Sequence, residues 1–132
     1  IPLRLVGSEM CIRDRWVTSV IYFRRTAMKD TNIRGQDIKK GDKVVMWYGS
    51  ANRDEDIFTD GDLFRVDREN AKKHLAFGAG EHLCLGNRLG HMQIRILFEE
   101  LLARFPNIHT TSKPVRIPSN FLAGISDLKV RL

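Results

Sequence analysis

The run Phe77-Gly78-Ala79-Gly80-Glu81-His82-Leu83-Cys84-Leu85-Gly86 constrains this chain more than any other feature. It sets one cysteine behind a glycine-bent loop and directly ahead of a long amphipathic segment. Gly78 and Gly80 let the backbone fold tightly without a Cβ clash. Backbone N–H groups turned toward the sulfur and the start of a helix both favour the thiolate, which otherwise forms only near pH ~8.5. A thiolate held this way is a metal ligand. A free cysteine is ordinarily a small buried apolar side chain, so the metal reading rests on the surrounding pattern and not on Cys84 alone.

The neighbours of Cys84 suit the iron of a haem. Gly86 lets the following helix lie close to a flat cofactor. Phe77 covers the sulfur from water, and shielding of that kind tunes a bound metal. His82, two residues before the cysteine, is placed to donate a hydrogen bond to a haem propionate.

At these residues the chain resembles the cytochrome P-450 superfamily, the haem-thiolate monooxygenases, through the signature Phe-x-x-Gly-x-(His/Arg)-x-Cys-x-Gly. Upstream, Arg24-Arg25-Thr26-Ala27 followed by Asp30, Gly35, Ile38, Gly41 and Asp42 resembles the strand pairs of soluble bacterial members. Ser50-Ala51-Asn52-Arg53-Asp54-Glu55 and then Phe58 resembles the approach to their irregular meander. Downstream, Ser119-Asn120-Phe121-Leu122-Ala123-Gly124 resembles the terminal β-turn that reaches the substrate pocket.

The resemblance implies a mainly α fold with small β-sheets. This stretch of it is α+β: short strands, meander, cysteine loop, long helix and terminal β-hairpin. It implies haem b (iron protoporphyrin IX), with Cys84 as the axial ligand and Arg25 and His82 as propionate partners. Val20, Ile21, Phe121 and Leu122 would face substrate, and no catalytic residue beyond the haem ligand falls in this stretch. The implied reaction is hydroxylation of an unactivated C–H of a small apolar substrate with O₂ and two electrons. A ferredoxin and an NAD(P)H-dependent ferredoxin reductase would supply the electrons. The strand Lys43–Tyr48 and the helix from Gly86 to Leu97 resemble branches that hydroxylate aliphatic ends: medium-chain alkanes and fatty acids, methyl-branched lipids or steroid side chains. The substrate class implied for the whole is an aliphatic chain, a terpenoid or a steroid side chain. Two other readings stay open: a haem-thiolate enzyme with isomerase, peroxygenase or dehydratase chemistry, and a non-catalytic haem-binding module.

Composition agrees within its reach. A length of 132 residues allows one domain at most. No apolar run is long enough to span a bilayer, and Ile1 to Val6 is too short for a secretory signal. Two cysteines, Cys11 and Cys84, point to a reducing cytoplasm rather than a disulfide framework. The net charge of +6 reads first as a solvated surface, and no nucleic-acid motif accompanies it. Arg68, Lys72, Lys73, Arg88 and Arg95 nevertheless gather around the cysteine. In the resembled family this side of the haem docks an acidic ferredoxin, and a positive face would speed that encounter.

Residues 1–15 stand apart. Leu5-Val6-Gly7-Ser8-Glu9-Met10-Cys11-Ile12-Arg13-Asp14-Arg15 resembles a translated sequencing-linker segment, so 1–15 is expected to be a non-native leader in which Cys11 has no role. Residues 16–132 are expected to be the C-terminal part of the domain. Arg15 looks like the trailing end of the family's Glu-x-x-Arg pair, but Ile12 occupies the glutamate position. Gly61 stands where bacterial members usually carry Pro, and Gly90 and His91 are further departures.

Along the chain, Val20–Arg24 and Val44–Tyr48 read as strands, joined through turn chemistry at Asn32–Gly35 and Lys40–Asp42. Residues 51–76 are irregular, with a turn at Asp60-Gly61-Asp62. From Leu85 to Arg104 the period is helical, and the stripe Leu85, Leu89, Met92, Ile96, Leu97 and Leu101 is expected to pack as core. Pro106 stops the helix. Val115 to Leu132 reads as a terminal strand pair around Gly124. His91 and His109 are expected to be surface histidines, and the role of His74 is open.

Overall fold

In a computed structural model of the chain, residues 6–132 are described; residues 1–5 of the expected leader lie outside them. Helix α1 (Val6–Val17) runs through the boundary expected between residues 15 and 16. It packs against the long helix α3 (Asn87–Arg104) and against a 3₁₀ turn at Glu69–Lys73. Ile12 and Phe58, each 1 % exposed, form the small apolar core with Met10, Tyr48 and Ala71.

α1 ends at Thr18, whose φ of +45° is uncommon for a β-branched residue. Its hydroxyl donates to the Arg15 carbonyl at 2.7 Å and accepts from Asn52 Nδ2 at 2.9 Å. Two bonds on one hydroxyl hold this backbone in place, as a strained residue requires.

Strands β1 (Tyr22–Thr26) and β4 (Lys43–Trp47) pair antiparallel, from Tyr22 opposite Trp47 to Thr26 opposite Lys43. The first strand therefore lies two residues later than the sequence predicts. The reason is competition for backbone partners. Ser19 to Ile21 bond to the C-terminal turn instead: Ile21 N–H donates to the Phe121 carbonyl at 2.9 Å, Ala123 N–H donates to the Ser19 carbonyl at 2.8 Å, and Val20 bridges Leu122. Tyr48 leaves β4 and opens the one-turn helix α2 (Tyr48–Ala51). Between β1 and β4, β2 (Thr31–Ile33) and β3 (Gln36–Ile38) form a hairpin. Its two-residue turn puts Arg34 and Gly35 at φ of +48° and +83°, the pair of positive angles that matches strand twist. The Asn32 side-chain oxygen Oδ1 accepts from Gly35 N–H at 2.8 Å and fixes the bend.

The expected terminal pair is present as β6 (Val115–Arg116) against β7 (Ile125–Asp127). A second pair, β5 (His109–Thr110) against β8 (Val130–Arg131), was not anticipated. The helix begins at Asn87 rather than Leu85, so Cys84 lies in the loop and Gly86 occupies the N-cap.

The helical stripe is the main correction. Leu85, Leu89, Met92, Ile96 and Leu97 are exposed, Leu85 completely. The side of α3 that meets α1 carries His91 and Phe98, which pair with Asp14 and lie beneath the Arg13 guanidinium at 4.5 Å. Periodicity identifies an apolar face, but the described residues leave it exposed.

The inner scaffold is polar. Arg15, fully buried, donates to the carbonyls of Asn52, Gly61 and Leu63 at 2.6, 2.9 and 3.1 Å. Asn52, also fully buried, accepts from Leu75 N–H at 2.7 Å through its side-chain oxygen. Gly61 fits because a Cβ there would collide with the Arg53 carbonyl. Asn52→Ala strips partners from the Leu75 N–H and the Thr18 hydroxyl at once. It should cost about 2–3 kcal/mol, the penalty of orphaning buried polar groups, read as a lower urea midpoint with an unchanged slope.

Candidate cofactor site

The cysteine loop is built from its own backbone. Gly78 and Gly80 have φ of +76° and +62°. Gly78 N–H donates to the Leu75 carbonyl at 2.9 Å, and Leu83 N–H donates to the Gly80 carbonyl at 3.1 Å. Cys84 N–H closes the loop on the Phe77 carbonyl at 2.9 Å. The Cys84 carbonyl accepts from Asn87 N–H at 3.3 Å, so the cysteine is tied to the helix it precedes. A Cβ on Gly86 would lie 3.9 Å from Cys84 Sγ. The thiol is free and exposed.

Cys84 opens on a cavity of about 490 Å³ that Val20, Phe23, Arg25, Tyr48, Phe77 and His82 also line. A smaller cavity of about 160 Å³ adjoins it, shared by Arg25, Tyr48, Gly78 and His82. Of the residues singled out from sequence, Val20, Arg25, Phe77, His82 and Cys84 therefore meet around one space, and Gly78 borders its extension. Gly80 and Gly86 act through the backbone. Ile21 and Leu122 do not line the cavity, although the backbone bonds at residues 19–21 hold them beside it. Phe121 reaches it indirectly, with its ring 5.6 Å from that of Phe23.

The cavity is rich in donors and apolar surface. Arg25 donates only to the Arg24 carbonyl, at 3.1 Å, and has no carboxylate partner among the described residues. His82 lines both cavities. Phe77 meets the His91 ring edge-on at 5.2 Å and the His74 ring at a tilt, 5.9 Å away. Sequence reasoning missed Phe23 and Tyr48; neither carries a motif signal, because their place depends on how β1 pairs with β4.

His91 is no plain surface histidine. Its Nε2 lies 2.5 Å from an Asp14 carboxylate oxygen, with His74 Nε2 at 3.8 Å from the same oxygen. His109 is a surface residue, its Nδ1 3.0 Å from the Asn107 carbonyl. Donor atoms of Cys11, Asp14 and His74 lie within 4.8 Å of one another. Asp14 is committed to His91 there, and no fourth ligand joins the three among the described residues, so the cluster reads as an ion-pair network.

The basic cluster is smaller than its sequence suggests. Arg68 turns inward, donating to the carbonyls of Thr59 and Asp60 at 2.7 and 2.9 Å, and Arg95 lies 4.0 Å from Glu99. Lys72, Lys73 and Arg88 remain exposed.

A cysteine carried at a loop-to-helix junction, facing an apolar cavity rimmed by cationic and neutral donors, is an arrangement that could hold a cofactor through a thiolate. Comparison with known proteins agrees. The cytochrome P450 family model matches residues 15–131, and the chain belongs to that family. It is 50 % identical over 130 residues to linalool 8-monooxygenase of Pseudomonas putida, covering 98 % of this chain and 31 % of that protein. It is 44 % identical over 117 residues to a methyl-branched lipid omega-hydroxylase of Mycobacterium tuberculosis, covering 88 % of this chain and 27 % of the relative. Among solved structures, cytochrome P450-153 from Novosphingobium aromaticivorans superposes with a TM-score of 0.89 at 41 % identity, over 98 % of this chain and 33 % of that one. A Mycobacterium marinum cytochrome P450 in complex with pseudoionone gives 0.92 at 38 % identity, over 98 % and 31 %. The chain thus spans about a third of the length of these relatives.

Membership implies a haem cofactor, and the residues present fit one. The sulfur faces open space, the apolar rings of Phe23 and Phe77 border it, and the Arg25 guanidinium lacks an acid that a propionate would supply. No helix among the described residues is long and apolar enough to cross a membrane.

Two outcomes follow from the polar groups behind the site. Among the described residues Arg15 has no carboxylate partner, and its buried Nε has no hydrogen-bond partner. Burial, with Arg68 and Arg53 nearby, pulls its guanidinium below the ordinary value against the pull of Asp62. Ile12 lies three residues earlier, on the same helix face. Ile12→Glu loses the apolar packing of Ile12 but places a carboxylate beside Arg15, so its denaturation midpoint should lie above that of Ile12→Gln, the gap reflecting part of the about 3–5 kcal/mol that a missing partner costs a buried ion pair; equal midpoints contradict this. Burial also pushes the His74 imidazole below its ordinary 6.5, with Asp14 opposing and His91 adding to the effect. The unfolded chain therefore binds the proton first, and folding stability falls as pH drops below about 6.5. His74→Gln should flatten that part of a stability-against-pH curve.

Proposed function

We propose that residues 16–132 are the C-terminal, haem-ligating part of a monooxygenase that hydroxylates an unactivated C–H of an apolar substrate, with Cys84 as the axial ligand. The observation that carries this is the meeting of Cys84, His82, Arg25 and Phe77 around one apolar cavity. Haem b, held there, supplies activation of O₂ with two electrons, assisted by electron donation from a thiolate.

The chain's own residues bind, orient and exclude water. Cys84 holds the cofactor from the side of the loop, and the backbone bonds of residues 75–87 fix the position of its sulfur. Arg25 and His82 hold the propionates, one by charge and one by a hydrogen bond. Phe77 keeps water from the sulfur. Val20, on the cavity wall, would face substrate, with Ile21, Phe121 and Leu122 beside it where residues 19–21 pair with the C-terminal turn. Lys72, Lys73 and Arg88 offer a positive surface to an acidic ferredoxin, which an NAD(P)H-dependent reductase recharges in the cytoplasm.

The names of the relatives support a substrate with an aliphatic end: linalool, a methyl-branched lipid and, in Rhodococcus jostii, the C26 position of a steroid. They also favour hydroxylation over the isomerase, peroxygenase or dehydratase reading. We assign residues 1–15 to a non-native leader. The support is Ile12, which leaves Arg15 without a carboxylate, and an uninterrupted reading frame from the source DNA that encodes these residues in place would overturn it.

The ligand assignment is tested on the full-length gene product by its carbon monoxide difference spectrum. Cys84→Ala should abolish the thiolate-type Soret shift, with haem lost or ligated by nitrogen. Survival of that shift in Cys84→Ala removes the assignment.

A further inference from the structure

Tyr48 is 6 % exposed as a residue, and its hydroxyl, which is not among the fully buried unpartnered polar atoms, makes no hydrogen bond with any described residue. An accessible phenol on an otherwise buried ring is free to take a partner from the cavity. The side chain lines both the large cavity and its smaller extension, as do Arg25 and His82 and no other residues. A Cβ on Gly78 would stand 3.4 Å from the Tyr48 oxygen and 3.1 Å from the His82 carbonyl, so the glycine keeps the ground in front of the hydroxyl clear. Three groups with protons to give converge here: a guanidinium, an imidazole and a phenol. The sole carboxylate lining either cavity, that of Asp14, is engaged by His91 at 2.5 Å. The corner shared by the two cavities therefore lacks an anionic acceptor.

We propose that Tyr48 is a third holder of the haem, its Oη donating a hydrogen bond to the propionate that Arg25 and His82 also hold. This rests on the haem reading above. The phenol is well suited: it is fixed by the first turn of α2, where Tyr48 N–H donates to the Ile21 carbonyl at 3.0 Å, and by its ring against Phe23, 5.9 Å away. Little entropy is lost when a group so fixed closes on a carboxylate. Its role is positioning the cofactor, and it has no part in the bond-making steps.

The test uses the full-length gene product, stripped of haem and reconstituted either with iron protoporphyrin IX or with its dimethyl ester, in which the propionates carry no charge. Haem release to excess apomyoglobin is then timed. With the natural haem, Tyr48→Phe should release about tenfold faster than the parent, as expected for one hydrogen bond to a charged group. With the ester the two should release at equal rates. The carbon monoxide Soret band of Tyr48→Phe should keep its thiolate position, which separates this inference from the Cys84 assignment. Parental release rates with both haems overturn the proposal, as does equal acceleration with both, which would mark a packing effect. A parent protein with no thiolate-type band overturns the haem reading and this inference together.

Discussion

One buried amide holds the parts of this molecule together. The Asn52 side chain donates to the Thr18 hydroxyl at the end of α1 and accepts from Leu75 N–H at the entrance to the cysteine loop, while its own carbonyl accepts from Arg15. Helix end, meander and ligand loop are therefore bound to one residue with no solvent access. Low local dielectric strengthens such bonds and makes each member costly to lose. The apolar core nearby is small, so register between α1 and the loop is set by hydrogen bonds more than by packing. The position of the Cys84 sulfur inherits its precision from this polar frame, three segments away.

What was legible in the sequence was local. Gly78 and Gly80 sit at positive φ, and a glycine-bent loop before a helix can be read from spacing alone. The same holds for the turn at Arg34-Gly35 and for the helix end before Pro106. What was not legible depended on partners distant in sequence. β1 starts two residues late because Ser19 to Ile21 are claimed by the C-terminal turn, about a hundred residues away. Tyr48 left its predicted strand for a helical turn and became part of the site wall. Asn52 stood inside a recognised segment, yet nothing in Ser50–Glu55 announces that its amide is the hub. His91 looked superficial until Asp14 was placed beside it by the packing of α1 on α3.

The helix stripe teaches a different lesson. Leu89, Met92, Ile96 and Leu97 have the spacing of a core face but are exposed, whereas His91 and Phe98 meet α1. A surface of this kind, together with exposed Phe64, Phe121 and Leu122, exceeds what a stable small domain leaves uncovered. It fits a chain that spans about a third of its relatives' length.

The central claim is a bond between the Cys84 sulfur and iron. X-ray absorption at the iron edge of the haem-loaded full-length gene product measures that bond directly. The account predicts one sulfur scatterer in the iron's first coordination sphere beside the porphyrin nitrogens, absent when residue 84 is serine. A coordination sphere of nitrogen and oxygen alone in the unsubstituted protein would contradict it.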